Sequence, residues 1–239
     1  MMRVHFVFEM KRIPLYYRLG TLSILKEMIR NGSSSYYKEL FEKRNEKMKP
    51  FSYSNFIKGL KFEKEMILGD ELHMNVSSPD YAFIMHLMNG SKRNHTYFIH
   101  NEKLILKNKI LLPKKTITKH EVIFKTLSPV LIDTKDKKPV LATEEDFSTE
   151  FEYTSNLILK EVYGVNPEQP IELLQSMMSK EVIKERLHQK QNTPLYLTGN
   201  KGLLHVRGNP KDLQKLYEAG VSMRRSLGFG LLDIEREVV

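Results

Sequence analysis

Residues 220–234 read Gly220-Val-Ser-Met-Arg-Arg-Ser-Leu-Gly-Phe-Gly-Leu-Leu-Asp-Ile234, three glycines, two arginines and two serines set against an apolar strand. Glycine accepts positive φ and lets a ligand approach the backbone, while adjacent Arg224 and Arg225 carry charge and forked donors for phosphate oxygens. Arg224, Arg225 and Ser226 are therefore phosphate-binding candidates, with Gly228 and Gly230 shaping the loop. The competing reading is a helix that ends at Gly220 and turns into a strand.

The rest of the chain is consistent with a polyanionic partner. Its 239 residues and formal charge of +9 allow one large domain or two of about 120 residues, and each phosphate neutralised by Lys or Arg releases condensed counterions. From Lys103 to Lys125 there are seven lysines and one acid, Glu121, whereas Glu144, Glu145, Asp146, Glu150 and Glu152 form an acidic cluster. Lys107, Lys109, Lys114, Lys115 and Lys119 are candidates for a basic track, although a lysine-rich stretch also protects a strand edge from aggregation. The chain has no cysteine, which excludes disulfides and thiolate metal sites and makes a cytoplasmic location the expectation. Met1–Phe8 is a short alternating stretch without the h-region of a secretory signal. No apolar segment reaches the roughly 20 residues of a bilayer span.

Periodicity predicts a duplicated α+β fold. Val4, Phe6 and Phe8 alternate with Arg3, His5 and Val7, a half-buried strand. Leu15, Leu19, Leu22, Leu25 and Ile29 follow at helical spacing, and Lys26 and Arg30 share a face beside that stripe. Polar residues 31–50 read as a loop or short helix, and strands are expected at 51–57, 60–67 and 71–77. A helix over 80–88 and a hairpin over 95–112 complete the first half. The second half repeats the order: a strand over 120–132 broken at Ser128-Pro129, a helix over 143–163 opened by a Thr143 cap, strands at 180–188, 194–198 and 202–207, a helix begun by Asn209-Pro210, and a strand over 227–235. Strand, helix, two strands, helix, strand is the order of a ferredoxin-like or RRM-like sandwich. The expected domains are 1–120 and 121–239.

Three segments carry a family resemblance. Gly220–Ile234, Phe124-Lys-Thr-Leu-Ser-Pro-Val130 and Lys49-Pro-Phe-Ser-Tyr-Ser54 together resemble the CRISPR-associated endoribonucleases that process repeat RNA, within the RAMP superfamily. The resemblance spans nearly the whole chain. It implies tandem ferredoxin-like domains with a C-terminal glycine-rich loop, a basic cleft between them, and cleavage of CRISPR precursor RNA within repeats. The implied chemistry uses the 2'-hydroxyl as nucleophile, leaves a 2',3'-cyclic phosphate, and needs no metal or cofactor. The implied partner is CRISPR repeat RNA, with a CRISPR effector complex as a further one, and the assembly expected is a monomer or homodimer.

One departure from the family is plain. Many relatives carry a histidine in or just after the first helix, a residue suited to either proton role, but residues 6–72 contain none. Where relatives have a Leu-His-Glu-like triplet, this chain has Leu40-Phe41-Glu42. Three explanations stand open: the chemistry rests on Lys26, Arg30, Tyr36, Tyr37, Lys43, Arg44 or Lys47; a histidine comes from elsewhere, with His5 the nearest; or the protein binds repeat RNA, or serves an effector complex, without cutting. Amines and phenols titrate near pH 10, so the first reading predicts slow cleavage that accelerates above neutral pH.

Overall fold

The alternation at the N-terminus makes β1 (Met2–Glu9) a strand with one apolar face, and Val4, Phe6 and Phe8 are fully buried. The computed structural model describes residues 2–43, 47–185 and 195–238. Two compact units emerge, one of residues 1–47, 55–113 and 184–196 and the other of residues 48–54, 114–183 and 197–239. The sequence expects one boundary near residue 120; the units instead exchange segments, because residues 48–54 pack with the C-terminal loop.

The first unit contains β1, β2 (Arg12–Pro14), α1 (Arg18–Gly32), α2 (Ser34–Lys38), β3 (Ser52–Lys58), β4 (Lys61–Glu63), β5 (Met66–Leu68), β6 (Glu71–Ser78), α3 (Tyr81–Gly90), β7 (Thr96–Ile99) and β8 (Glu102–Leu112). Its main sheet runs β3-β6-β1-β8-β7, with β1 antiparallel to both neighbours, and β2-β5-β4 form a smaller sheet. The order of β3, β6, β1 and β8 is that of a ferredoxin-like fold. Asp80 caps α3 by accepting from the Ala82 and Phe83 amides. A π-helical turn, Glu39–Lys43, continues α2 through residues that the sequence reading leaves as loop.

The second unit contains β9 (Glu121–Thr126), α4 (Phe147–Ile158), β10 (Glu172–Glu185), β11 (Leu195–Arg207), α5 (Pro210–Ala219) and β12 (Leu232–Val238), with sheet order β10-β11-β9-β12. This is the ferredoxin-like order again, so the α+β duplication expected from periodicity is present. Three local expectations are corrected. Thr143 does not cap α4, which starts at Phe147 after a turn closed by the Glu144 amide donating to the Leu141 carbonyl. Two long strands replace three short ones, with residues 186–188 and 194 of the expected segments outside the described residues. The last strand begins at Leu232, because Arg225–Leu227 form a 3-10 turn.

Candidate functional site

The C-terminal loop is tied down by its own backbone. Val221 N–H donates to the Gly230 carbonyl and Gly230 N–H to the Pro129 carbonyl, both at 2.8 Å, while Gly228 N–H donates to the Arg225 carbonyl at 3.2 Å. Ser128 Oγ donates to the Tyr53 carbonyl at 3.3 Å and accepts from the Leu231 amide at 3.0 Å. Gly228 holds φ +86°, and a Cβ there would lie 3.0 Å from the Tyr53 ring. The segments Lys49–Ser54, Phe124–Val130 and Gly220–Ile234, far apart in the chain, thus pack within one unit.

Arg225 departs from the expectation of a phosphate ligand. It is 4% exposed, and its guanidinium donates to the Ala219 carbonyl at 2.9 Å and the Lys49 carbonyl at 3.2 Å. Burial pulls its pKa down to about 10, so it remains charged at neutrality. The amides of Gly228 and Gly230 are likewise used inside the unit, which gives these glycines a shaping role. Arg224 and Ser226 are half-buried and keep surface. Beside Arg224, burial raises the Asp133 carboxyl while the arginine pulls it down.

The first-helix candidates separate into a cluster and outliers. The Arg30 guanidinium lies 4.2 Å from the centre of the Tyr37 ring and Lys26 Nζ 5.0 Å from that of Phe41, and the two rings are 5.2 Å apart. Helical spacing puts both cations on one face of α1, and the turn of Glu39–Lys43 lays Phe41 beside them. Cation–π contacts hold the charged groups over the rings. Tyr36 turns away: its hydroxyl donates to Asp80 Oδ2 at 2.6 Å and its ring packs 4.9 Å from that of His86. Lys43 pairs with Glu39 at 3.8 Å, Lys47 is exposed, and Arg44 lies outside the described residues.

The candidate lysines of the basic track divide between the two units. Lys107 pairs with Glu9, at a register shift in β8. Lys109 stands opposite Phe6, on the helix side of the sheet, and donates to Ser91 Oγ at 3.0 Å; burial, and then Lys92, lower its pKa. In the second unit Lys115 pairs with Asp233 at 2.8 Å, and Lys114 and Lys119 are exposed.

His5 sits on the sheet face opposite the buried Val4, Phe6 and Phe8. Its Nδ1 lies 2.7 Å from Asn75 Oδ1 and its Nε2 3.1 Å from His73 Nδ1. His73 Nε2 is in turn 3.0 Å from Glu71 Oε2, and His73, followed by Lys58, holds the Glu71 carboxyl below its ordinary range. Both ring nitrogens of His5 are engaged, so it offers none to a 2'-hydroxyl. The sequence reading missed His73 and Phe41. The alternation of Glu71, His73 and Asn75 signals a shared face, but only the register of β1 with β6 reveals His5 as their neighbour. Among the described residues no group of three or more His, Asp or Glu could hold a metal ion, and no helix is long and apolar enough to cross a membrane.

Comparison with known proteins supplies a family. Residues 112–234 match the family described as CRISPR associated protein Cas6, C-terminal. A search of the curated proteins found no match. Among solved structures, the product of a Cas6-related gene from Pyrococcus furiosus aligns with a TM-score of 0.80 at 22% identity, covering 99% of both chains. A RAMP protein described as binding different RNA substrates aligns at 0.79 and 17%, covering 99% of this chain and 100% of that one. A Cas6 product complex aligns at 0.66 and 12%, covering 98% and 99%. At these identities the structural likeness speaks for the fold.

Proposed function

Because the chain belongs to the CRISPR-associated Cas6 family, we propose that it is a metal-independent endoribonuclease that cuts CRISPR precursor RNA within its repeats. The observation that carries this reading is the cluster in which Lys26 lies over Phe41 and Arg30 over the neighbouring Tyr37, where the sequence resemblance would set the histidine of many relatives. In the proposed reaction the 2'-oxygen attacks the adjacent phosphorus as its proton passes to solvent hydroxide, the bond to the 5'-oxygen breaks, and that oxygen takes up a proton. The products are a 2',3'-cyclic phosphate and a 5'-hydroxyl. Lys26 and Arg30 face the charge that builds on the phosphorane oxygens, and removing one such donor costs about 10²- to 10³-fold in rate. The Tyr37 hydroxyl is the candidate proton donor to the leaving oxygen. Arg224 and Ser226 would hold the RNA backbone, and Arg225 would hold the loop.

A second reading, binding without cutting, is favoured by the absence of histidine from residues 6–72 and by the likeness to a RAMP protein described as an RNA binder. End-labelled repeat RNA incubated in EDTA, beside RNA with a 2'-deoxy substitution at the cut site, separates the two. Cleavage of the first RNA alone is expected, with a rate that rises above neutral pH because the 2'-hydroxyl must give up its proton and none of Lys26, Arg30 and Tyr37 is assigned as the base. Binding of both RNAs without products would establish the binding reading. Loss of cutting in EDTA would refute the metal-independent chemistry.

A further inference from the structure

The face of the first unit's sheet that turns away from its helices carries a row of rings. Phe56 on β3, His73 on β6 and His5 on β1 stand on three neighbouring strands. Their ring centres are 5.8 Å apart from Phe56 to His73 and 5.2 Å from His73 to His5. Phe56 is 63% exposed, so its ring face is open to solvent. Lys58, two residues along the same strand, holds its ammonium 3.2 Å from Glu71 at the margin of the row.

What these rings can do follows from where their polar atoms point. All four ring nitrogens of His5 and His73 have partners within the sheet: Asn75, each other, and Glu71. The imidazole edges are therefore engaged, and the rings are fixed before any ligand arrives. What the row offers a partner is π surface, ending in the Phe56 ring, with one ammonium group beside it. Aromatic side chains on a sheet face, flanked by positive charge, suit the stacking of unpaired bases, because every base has a π face. An edge-reading site would need polar groups not already bonded.

We propose that Phe56, supported by His73 and His5, is a stacking platform for single-stranded RNA that accepts any base, with Lys58 meeting the adjacent phosphate. The proposal rests on the RNA-binding reading above and adds to it a site apart from Lys26, Arg30 and Tyr37. It assigns the two histidines to ring placement rather than to proton transfer.

The chain has no tryptophan, so Phe56→Trp introduces a single tryptophan at the platform. Titrating this variant with the oligonucleotides A8, C8 and U8 should quench its emission on binding, to a similar extent with each. Phe56→Ala, a change at an exposed position, should weaken binding of all three about tenfold by fluorescence anisotropy, since one base stack contributes about that much. The slope of log K against log salt should stay as in the wild type. Lys58→Ala should instead flatten that slope by about 0.7. Wild-type affinity in Phe56→Ala with all three oligonucleotides would overturn the platform while leaving RNA binding elsewhere intact. A loss confined to one base would overturn the claim of base tolerance. If the wild type bound none of them, the RNA-binding reading itself would fall and the platform with it.

Discussion

Replacing Arg225 by methionine distinguishes a loop that is held together by an arginine from a loop that offers that arginine to RNA. In the structure the guanidinium donates to the Ala219 and Lys49 carbonyls at 2.9 and 3.2 Å from an almost fully buried position. Removing the donors takes a hydrogen bond from each of two carbonyls, at about 1–3 kcal/mol each, or about 2–6 kcal/mol together. Methionine recovers part of this, because the desolvation of a buried cation no longer opposes folding. The expected net loss is about 2–4 kcal/mol. With a urea dependence of about 1–3 kcal/mol per molar, the unfolding midpoint should fall by roughly 1 M or more, followed by circular dichroism or tyrosine fluorescence. RNA affinity of the folded variant should keep its salt slope, whereas Arg224→Ala should flatten it by about 0.7 if that residue meets a phosphate of a single strand. The reasoning is refuted if Arg225→Met unfolds like the wild type and yet loses salt dependence, for the side chain would then face RNA and not the two carbonyls.

Three further outcomes follow from the same geometry. Gly228→Ala forces a side chain into the left-handed region, at about 1–2 kcal/mol, against the Tyr53 ring 3.0 Å away; a urea midpoint equal to that of wild type would contradict the assignment. Tyr36→Phe loses a bond to a carboxylate and should destabilise by about 1.5–3 kcal/mol without slowing RNA cleavage, whereas Tyr37→Phe should slow cleavage and leave the unfolding midpoint nearly unchanged; single-turnover assays beside urea melts check both. Glu121 is held below its ordinary range chiefly by Arg207, with burial opposing and His205 adding to the lowering. A depressed carboxylate stabilises above its unfolded pKa of about 4.3 and loses that effect as pH falls through the folded value. Glu121→Gln should therefore lower stability at pH 7 and narrow its difference from wild type toward pH 3, as followed by urea midpoints across that range.

Much of the fold lies in local patterns that need no partner to be read. The alternation of Val4, Phe6 and Phe8 gives β1, Asp80 gives the start of α3, and Asn209-Pro210 gives the start of α5. Strand β10 is harder to see, because Leu174, Met177 and Val182 on it are exposed and blur the period of two. At the site, sequence brings Lys26 and Arg30 together by helical spacing alone. It cannot tell Arg224 from Arg225, adjacent residues of one type, of which a single 3-10 turn buries one. Nor can it tell Tyr36 from Tyr37, since the difference lies in Asp80, 44 positions away. His5 and His73 meet only through strand register. Patterns set by nearest neighbours are legible; those set by long-range closure are not.

The placement of Lys49–Ser54 beside the C-terminal loop has a consequence for how the protein is made. Lys49 is synthesised 176 residues before Arg225, which binds its carbonyl. At about 5–20 residues per second a nascent chain carries this segment for roughly 9–35 s before its packing partners are polymerised. Ribosome-bound chains that stop short of residue 220 should therefore expose Phe51 and Tyr53 to proteases and chaperones, and the second unit should become protease-resistant only once residues 220–234 have emerged. A fragment that begins at residue 114 would lack the carbonyl of Lys49 and the ring of Tyr53 at every stage, so supplying residues 48–54 as a separate peptide should restore its loop.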